Sequence, residues 1–236
     1  MTPYLFHAGT MSPEERQRFA GFALAPLDRE TPARPPYLVL REGRCGVVYD
    51  DARLPFLPPA FDPRQASAQS LLARAVGLHV RPSKRILDAM AGWGSDGLEL
   101  AALGARVTMV EASMLVWALL RERIEASTVV VEALVHGSAA GVMATGTWDV
   151  IYLDPMFPGR GRKGLAKLPM QVLRAIVDDS VDAPMSLLDT ARRHASERVV
   201  VKRRRTDPML GRPDWQLKGT TVRFDVYRGT ACHTTE

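Results

Sequence analysis

Cysteine is scarce in this sequence: the 236 residues include two, Cys45 and Cys232, which lie far apart and show no metal-ligand spacing. Two free thiols in a reducing compartment are therefore favoured over a disulfide. No apolar run approaches the roughly 18 residues of a membrane span, and the first residues lack the basic-then-apolar pattern of a signal peptide. These absences predict a cytoplasmic protein that has no membrane association and needs no metal.

Internal repeats and low-complexity tracts are also absent, and the 46% of hydrophobic and 24% of charged residues are ordinary for a globular protein. Proline is unevenly distributed, because ten of the 17 lie in residues 1–63 and exclude a helical bundle there. Apolar runs on either side of Gly43 predict a β-hairpin, and Ser12 before Pro13 predicts the start of a short helix. We expect a small N-terminal appendage over 1–63 and a second domain over 64–236.

From residue 85 onward, short apolar runs typical of buried strands alternate with helical segments. Strands are predicted at Arg85–Ala89, Arg106–Glu111, Glu132–His136, Asp149–Leu153, Arg198–Lys202, Trp215–Lys218 and Val222–Tyr227. Helices are predicted at 66–76, Gly94–Leu103, Met114–Ala126, Met170–Val177 and Ala183–His194. The last two strands are joined by a short turn and must be antiparallel. The fold class is therefore α/β, Rossmann-like and doubly wound, with a mostly parallel sheet that ends in an antiparallel C-terminal hairpin.

The apolar run Val150–Leu153 stops abruptly at an acid, Asp154, which is followed by Pro155, Met156, Phe157 and Pro158. Prolines cannot continue a strand ladder, so the strand must end there. An acid and an aromatic residue are thus fixed in a stiff turn at the carboxyl end of a strand. In open α/β sheets, ligands bind at that edge.

A glycine loop follows the first strand of the larger domain. Gly92, Gly94 and Gly97 form G-x-G-x-x-G at the start of a helix, and Glu111 ends the next strand 19 residues after Gly92. This order is typical of a site for a nucleoside-type cofactor. An acid at the position of Glu111 accepts hydrogen bonds from the ribose hydroxyls of such a cofactor.

Two acids beside the loop, Asp88 and Asp96, help to distinguish between two possible cofactors. They would repel the pyrophosphate of a dinucleotide but suit the sulfonium and ammonium groups of S-adenosylmethionine, so the latter is favoured over NAD. We expect Asp88 and Asp96 to interact, directly or through water, with its amino-acid end. Ala112 leaves room for the adenine, and Ser138 can hydrogen-bond the adenine edge.

Basic residues are concentrated in two segments. Residues 198–228 contain nine basic side chains against three acids, and 159–167 contain four with no acid. Both segments follow strand ends on the predicted edge of the Asp154 turn, which favours a nucleic-acid partner over solvated loops. The candidate RNA-binding residues are Arg160, Arg162, Lys163, Lys202, Arg203 and Arg204.

The glycine loop, the Asp-Pro-Met-Phe-Pro turn at 154–158, Val199–Arg203 and Arg223–Tyr227 together resemble the bacterial RsmJ family, over roughly residues 62–229. Met156 in place of a second proline is the most specific feature. The resemblance implies a class I methyltransferase that uses S-adenosylmethionine to methylate the exocyclic N2 of a guanine in small-subunit (16S) ribosomal RNA. It implies cofactor contacts at Ser95, Asp96, Glu111, Ala112, Ser138, Ala139 and Asp154. The chain departs from the family in a short segment before residue 66 and in an arginine-rich loop at 203–213.

Guanine N2 is a poor nucleophile because its lone pair is delocalised, so an acceptor aimed at its hydrogens would help it to attack a methyl group. Asp154 and the carbonyl of Pro155 can accept from this amine, and Phe157 can stack on the base. The predicted partner is ribosomal RNA or the small ribosomal subunit; the oligomeric state is open, with a monomer slightly favoured.

Three alternatives remain. The first is an N-methyltransferase for another conjugated amine, either adenine or cytosine in DNA or RNA or a protein glutamine. The second is an NAD-dependent oxidoreductase, and the third is a non-catalytic RNA-binding module on the same fold.

Overall fold

The computed structural model of the chain describes residues 3–27, 34–50, 55–155, 168–176 and 184–231. It contains a small sheet near the N-terminus and a larger sheet flanked by helices. Within these residues, no helix is long and apolar enough to cross a membrane.

The small sheet has four strands in the order β2-β1-β3-β4. Their bounds are β1 (Tyr4–His7), β2 (Ala23–Pro26), β3 (Tyr37–Arg41) and β4 (Arg44–Val48). The antiparallel pairing of β3 with β4 confirms the predicted hairpin, and α1 (Pro13–Arg18) confirms the helix, with Ser12 and Glu15 forming a capping box. The sequence analysis did not predict β1 and β2.

The larger sheet has seven strands in the order β10-β11-β9-β8-β5-β6-β7. The strands are β5 (Arg85–Asp88), β6 (Arg106–Glu111), β7 (Ala133–His136), β8 (Trp148–Leu153), β9 (Ala195–Arg204), β10 (Trp215–Lys218) and β11 (Val222–Arg228). The helices are α2 (Leu71–Val76), α3 (Ser95–Ala102), α4 (Met114–Glu125), α5 (Ala139–Met143), α6 (Leu168–Ile176) and α7 (Pro184–His194). Strands β5 to β9 are parallel, and β11 is antiparallel to both β9 and β10, which confirms the predicted fold class.

Three elements differ from the prediction. Helix α2 begins at Leu71 rather than at residue 66, because Ser70 caps it by accepting from the amide of Ala73; a separate 3-10 turn occupies Pro63–Gln65. Helix α5 was not predicted, since it has only five residues. Strand β9 is longer than expected and runs through the basic residues to Arg204.

Apolar side chains fill both faces of the larger sheet. Leu98, Tyr152 and Phe224 belong to the cluster on the face of α2 and α3, and Ile151 and Leu188 belong to the cluster on the face of α7. Burying apolar surface on both faces explains why β8 and β9 are continuous apolar runs in the sequence.

The small sheet packs against the helices of the larger unit. Phe19 and Leu38 share one hydrophobic cluster with Leu119 of α4 and Val172 of α6. This cluster contains residues from both sides of residue 63. The domain boundary that was expected there therefore remains a prediction.

Candidate active site at the carboxyl edge of the sheet

The order of the strands places the candidate site. From β5 the chain proceeds through β6 to β7 on one side, and it then returns to β8 and β9 on the other side. The neighbouring strands β5 and β8 therefore flank the point at which the direction of winding reverses, and ligands bind outside the carboxyl ends of strands at such a point. Asp88 ends β5, and Asp154 follows β8 directly.

The glycine loop between β5 and α3 has a backbone that requires glycine. Gly92 and Gly94 have φ angles of 53° and 68°, in the left-handed region, and Gly94 is the N-cap of α3. A Cβ on Gly94 would lie 2.4 Å from Cδ1 of Leu120, and one on Gly97 would lie 2.6 Å from Oδ2 of Asp88. The loop is therefore fixed in a tight turn against α4 and the end of β5.

We expect Gly94→Ala to lower the free energy of unfolding by about 2–4 kcal/mol, because it adds left-handed strain to a clash with Leu120. Denaturant unfolding measures this loss, and calorimetry with S-adenosylhomocysteine should show weaker binding. Gly137→Ala is the control, since a Cβ at Gly137 would meet no other atom within 4 Å. Equal stability of the two variants would contradict the expectation.

Glu111 joins the end of β6 to the glycine loop. One oxygen of its carboxylate accepts from the amide of Gly92 at 3.0 Å, and the other accepts from the amide of Ser113 at 2.7 Å. Burial raises the pKa of Glu111, although these backbone donors oppose the rise. The acid that was predicted to accept from ribose hydroxyls is thus a buried acceptor held beside the glycine loop.

Arg123 on α4 is a residue of the site that sequence reasoning missed. Its guanidinium donates to the carbonyl of Trp93 in the glycine loop and to Oγ of Ser95, at 3.0 Å from the latter. It also donates to the carbonyl of Pro59 at 2.8 Å, which ties the loop to the segment before α2. In the sequence, Arg123 looks like an exposed helical residue, and only its contacts 28 to 64 residues away reveal its role.

We expect Arg123→Met to weaken the binding of S-adenosylhomocysteine by about tenfold and to lower the free energy of unfolding by about 2 kcal/mol. The variant leaves the carbonyl groups of Trp93 and Pro59 without a charged donor. Calorimetry and denaturant unfolding test the two effects separately. Wild-type affinity in a stably folded variant would show that Arg123 does not position the loop.

Asp88 lies deeper than its predicted role requires. It is 1% exposed, and its Oδ1 atom has no hydrogen-bond partner among the described residues. Burial raises the pKa of Asp88 well above its ordinary value, and the neighbouring Asp96 and Asp154 raise it further. This buried position does not favour a direct contact between Asp88 and the amino-acid end of a cofactor. A contact through water, the other form that was predicted, is favoured instead.

Asp96, at the start of α3, is the centre of a polar network. Its Oδ2 accepts from the hydroxyl of Tyr152 and from Nζ of Lys202, both at 2.5 Å. The same Nζ lies 3.1 Å from Oδ2 of Asp154. Lys202 at the end of β9 therefore bridges the acid of the glycine loop and the acid of the Asp154 turn.

Burial has a large effect on the charges in this network. It raises the pKa of Asp154 to about 6, since the pull of Lys202 toward lower values does not fully offset the loss of water and the repulsion from Asp96. Burial disfavours charge on Lys202 as well, but Asp96 and Asp154 outweigh it and raise the pKa of the ammonium. The network thus holds a carboxylate whose pKa is raised to about 6 beside a lysine whose charged form is favoured.

The remaining predicted cofactor residues lie on the same edge. Ser138 caps α5 by accepting from the amide of Gly141 at 3.1 Å, and Ala139 is the first residue of that helix. Ala112 is exposed just after β6, and its carbonyl lies 3.1 Å from Nε2 of His136. Adenine contacts at these residues remain predictions.

Several predicted residues fall outside the described part of the chain. Pro155 is described and buried, but Phe157, Arg160, Arg162 and Lys163 are not, and neither is Met156. Their proposed roles in stacking and RNA binding therefore rest on the sequence.

Two candidate RNA-binding residues have other partners in the structure, which favour other roles for them. Lys202 is bound to Asp96 and Asp154, so its charge is directed into the site rather than toward a phosphate. Arg203 is 3% exposed and donates to the carbonyl of Pro208, which withdraws it from the surface. Only Arg204 of the three described candidates is exposed.

Comparisons with known proteins agree with this geometry. Residues 60–229 match the family described as "putative SAM-dependent methyltransferase". A protein of Laribacter hongkongensis named ribosomal RNA small subunit methyltransferase J is 37% identical over 92% of this chain and 84% of its own length. The chain belongs to this methyltransferase J family.

Other relatives and one solved structure support the same assignment. The methyltransferase J of Alkalilimnicola ehrlichii is 43% identical over 71% of this chain and 70% of its own length. That of Pseudomonas paraeruginosa is 41% identical over 66% of this chain, and the match spans 65% of the relative's length. A crystal structure of a SAM-dependent methyltransferase from Neisseria gonorrhoeae has a TM-score of 0.70 and 26% identity, and the match covers 98% of each chain.

Proposed function

We propose that this methyltransferase J family member transfers a methyl group from S-adenosylmethionine to the exocyclic N2 amine of a guanine in small-subunit ribosomal RNA. The observation that carries the proposal is the network Asp96–Lys202–Asp154, which joins the glycine loop to the strand-end turn. The names of the relatives support the RNA substrate. A ribosomal substrate also implies a cytoplasmic location.

The residues present fit this cofactor. Asp96 accepts from an ammonium group, that of Lys202, so its carboxylate suits the ammonium of the cofactor's amino-acid end as well. Glycine at 92 and 94 allows the backbone to approach a ligand closely, and Glu111 can accept from ribose hydroxyls. When bound, S-adenosylmethionine supplies an electrophilic methyl group. Asp88, Ser95, Ala112, Ser138 and Ala139 are proposed to complete the cofactor site, Asp88 through water.

The Asp154 turn is proposed to activate the guanine amine. A carboxylate with a pKa of about 6 is mostly ionised at neutral pH and is close enough to the operating pH to accept a proton. Asp154 can therefore stabilise the positive charge that develops on the amine and take its proton, while the carbonyl of Pro155 accepts from the second hydrogen. Phe157 is proposed to hold the ring by stacking.

Lys202 is proposed to position Asp154 rather than to bind RNA. Its ammonium keeps Asp154 beside Asp96 and favours the ionised form of Asp154. Without this cation, repulsion from Asp96 would favour the protonated form of Asp154, which cannot take a proton from the amine.

Two measurements separate this proposal from its alternatives. Calorimetry should detect binding of S-adenosylhomocysteine and none of NAD, which distinguishes a methyltransferase from an oxidoreductase. Transfer of tritium from methyl-labelled S-adenosylmethionine to RNA, DNA and protein should then show incorporation into RNA alone. Labelled DNA or protein would favour another conjugated amine, and bound cofactor without any transfer would favour the non-catalytic RNA-binding module.

A metal requirement is not proposed, and among the described residues no group of three His, Cys, Asp or Glu side chains could hold a metal ion.

A further inference from the structure

The arginine-rich loop between β9 and β10 is held by buried side chains. Nη1 of Arg223 donates to the carbonyls of Arg204, Arg205 and Asp207 at 2.7 to 3.1 Å. Arg203 donates to the carbonyl of Pro208, and the hydroxyl of Tyr227 donates to that of Leu210 at 2.5 Å. Side chains of β9 and β11 thus hold the backbone of the loop through four of its carbonyl groups and through that of Arg204 at the end of β9.

Arg223 makes the largest number of these hydrogen bonds, and it can be buried because an acid neutralises its charge. Asp225 is 0% exposed and accepts from Arg223 through both oxygens, at 2.8 and 3.0 Å. A bidentate pair of this kind is rigid. The loop conformation is therefore fixed before any partner binds, which lowers the entropy cost of binding.

The acids of segment 198–228 are all engaged with basic residues of the same segment. Asp225 pairs with Arg223, Asp214 lies near Arg228, and Asp207 interacts electrostatically with Arg203 and Arg223. Besides Arg228, the basic residues of the segment that are exposed are Arg204, Arg205, Arg212 and Lys218. None of these four has an acidic partner within 4.0 Å in the described chain, so the surface of the loop and of β10 is basic.

A shallow groove of about 640 Å³ lies beside this loop. Its lining includes Met209, Arg212, Pro213, Trp215, Gln216 and Lys218, and the described residues that line it include two cations and no acid. Met209 is 54% and Trp215 37% exposed, so both offer apolar surface to a ligand in the groove. The groove thus combines positive charge with apolar surface, as single-stranded nucleic-acid sites do.

The Lys218 end of the groove lies on the same edge of the sheet as Asp154. Lys218 pairs with Arg223, which pairs with Arg203, while Leu153 pairs with Val201. Three strand spacings of about 4.8 Å separate β10 from β8, or about 14 Å. A strand of RNA that reaches the Asp154 turn can therefore continue into the groove.

We propose that this groove binds a single-stranded RNA segment next to the target guanine, with Arg212 and Lys218 contacting its phosphates. The proposal rests on the proposed function and extends it, because it assigns a second contact region for the substrate. In this proposal the phosphate contacts are made by two exposed residues whose charges are not paired with acids, rather than by Lys202 and Arg203.

The test compares Arg212→Gln/Lys218→Gln with Arg41→Gln/Arg44→Gln, which removes the same charge from the exposed end of the β3–β4 hairpin. Binding is measured with a labelled single-stranded RNA copy of the 3′ segment of small-subunit ribosomal RNA, over a range of salt concentrations. For the groove variant we expect the Kd to rise about tenfold. We also expect the logarithm of the binding constant to depend less steeply on the logarithm of the salt concentration, with a slope smaller in magnitude by about 1.4, since each lost phosphate contact removes about 0.7. The KM for RNA should rise by a similar factor, with kcat and S-adenosylhomocysteine affinity unchanged.

The outcomes separate the groove from the proposed function. An unchanged Kd and salt slope, or an equal loss in the hairpin variant, would overturn the groove even if the protein methylates RNA. Polyglutamate that competes as well as RNA would assign the groove to an acidic polypeptide instead. Absence of methyl transfer by the wild-type protein would refute the proposed function, while the RNA affinities would still decide on the groove.

Discussion

Asp154→Asn is expected to lower kcat for methyl transfer to RNA by about 10²–10³-fold, the usual effect of removing one group that stabilises developing charge. The amide keeps the size of the side chain but cannot accept a proton from the amine. The fold should persist, since Asp154 lies at a strand end and remains partly exposed. Transfer of label into RNA measures the loss, and thermal melting and calorimetry with S-adenosylhomocysteine verify that the protein is folded and binds its cofactor product.

Asp189→Asn is the matched control, because Asp189 is an exposed carboxylate on α7. It should transfer methyl groups at the wild-type rate. Wild-type kcat in Asp154→Asn would refute the role of Asp154, whereas an equal loss in both variants would point to a general effect of charge.

Lys202→Met is expected to move the acidic limb of the pH–rate profile. In the wild-type protein, Asp154 must be ionised, so activity should fall as the pH decreases through about 6. Lys202 lowers the pKa of Asp154, so its removal raises that pKa further and moves the limb to higher pH. Once the pKa of Asp154 lies above 7, each further rise of one in that pKa lowers the ionised fraction at pH 7 about tenfold, so activity there should fall by about tenfold or more.

The pH profile distinguishes this positioning role from a merely structural one. Lys202→Arg should restore much of the wild-type profile, because it returns a cation beside Asp96 and Asp154. The other ionisable groups near Lys202 are Asp88, Glu99 and Tyr152, and all three remain in these variants. A lower rate with an unmoved acidic limb would exclude Lys202 as the group that keeps Asp154 ionised.

The sequence predicted the parts of the site that depend on neighbouring residues. The glycine loop, Glu111 at a strand end and Asp154 before proline are each encoded within a few positions, and parallel strands bring their carboxyl ends to one edge. The structure accordingly places Glu111 beside Gly92 and Asp154 near the start of α3. Confirmation of the doubly wound sheet follows from the same regular alternation of strands and helices.

The sequence did not reveal which charged residues are directed inward. Lys202, Arg203 and Arg223 belong to one basic segment, yet their partners lie on other elements: Asp96 on α3, or carbonyls of the following loop. Arg123 resembles a solvated helical residue until its contacts with Trp93 and Pro59 are known. The sequence shows where basic residues are concentrated, whereas their burial depends on tertiary packing, so the inward direction of these side chains could not be predicted.

The measurement that tests the central claim most directly is the identification of the methylated nucleoside. Small-subunit ribosomal RNA prepared from cells without a methyltransferase of this family is incubated with the protein and S-adenosylmethionine tritiated in its methyl group, digested to nucleosides and analysed by mass spectrometry. We predict that the label appears in N2-methylguanosine with the wild-type protein and is nearly absent with Asp154→Asn. Label in a methylated adenosine or cytidine, or on another atom of guanine, would contradict the proposed reaction.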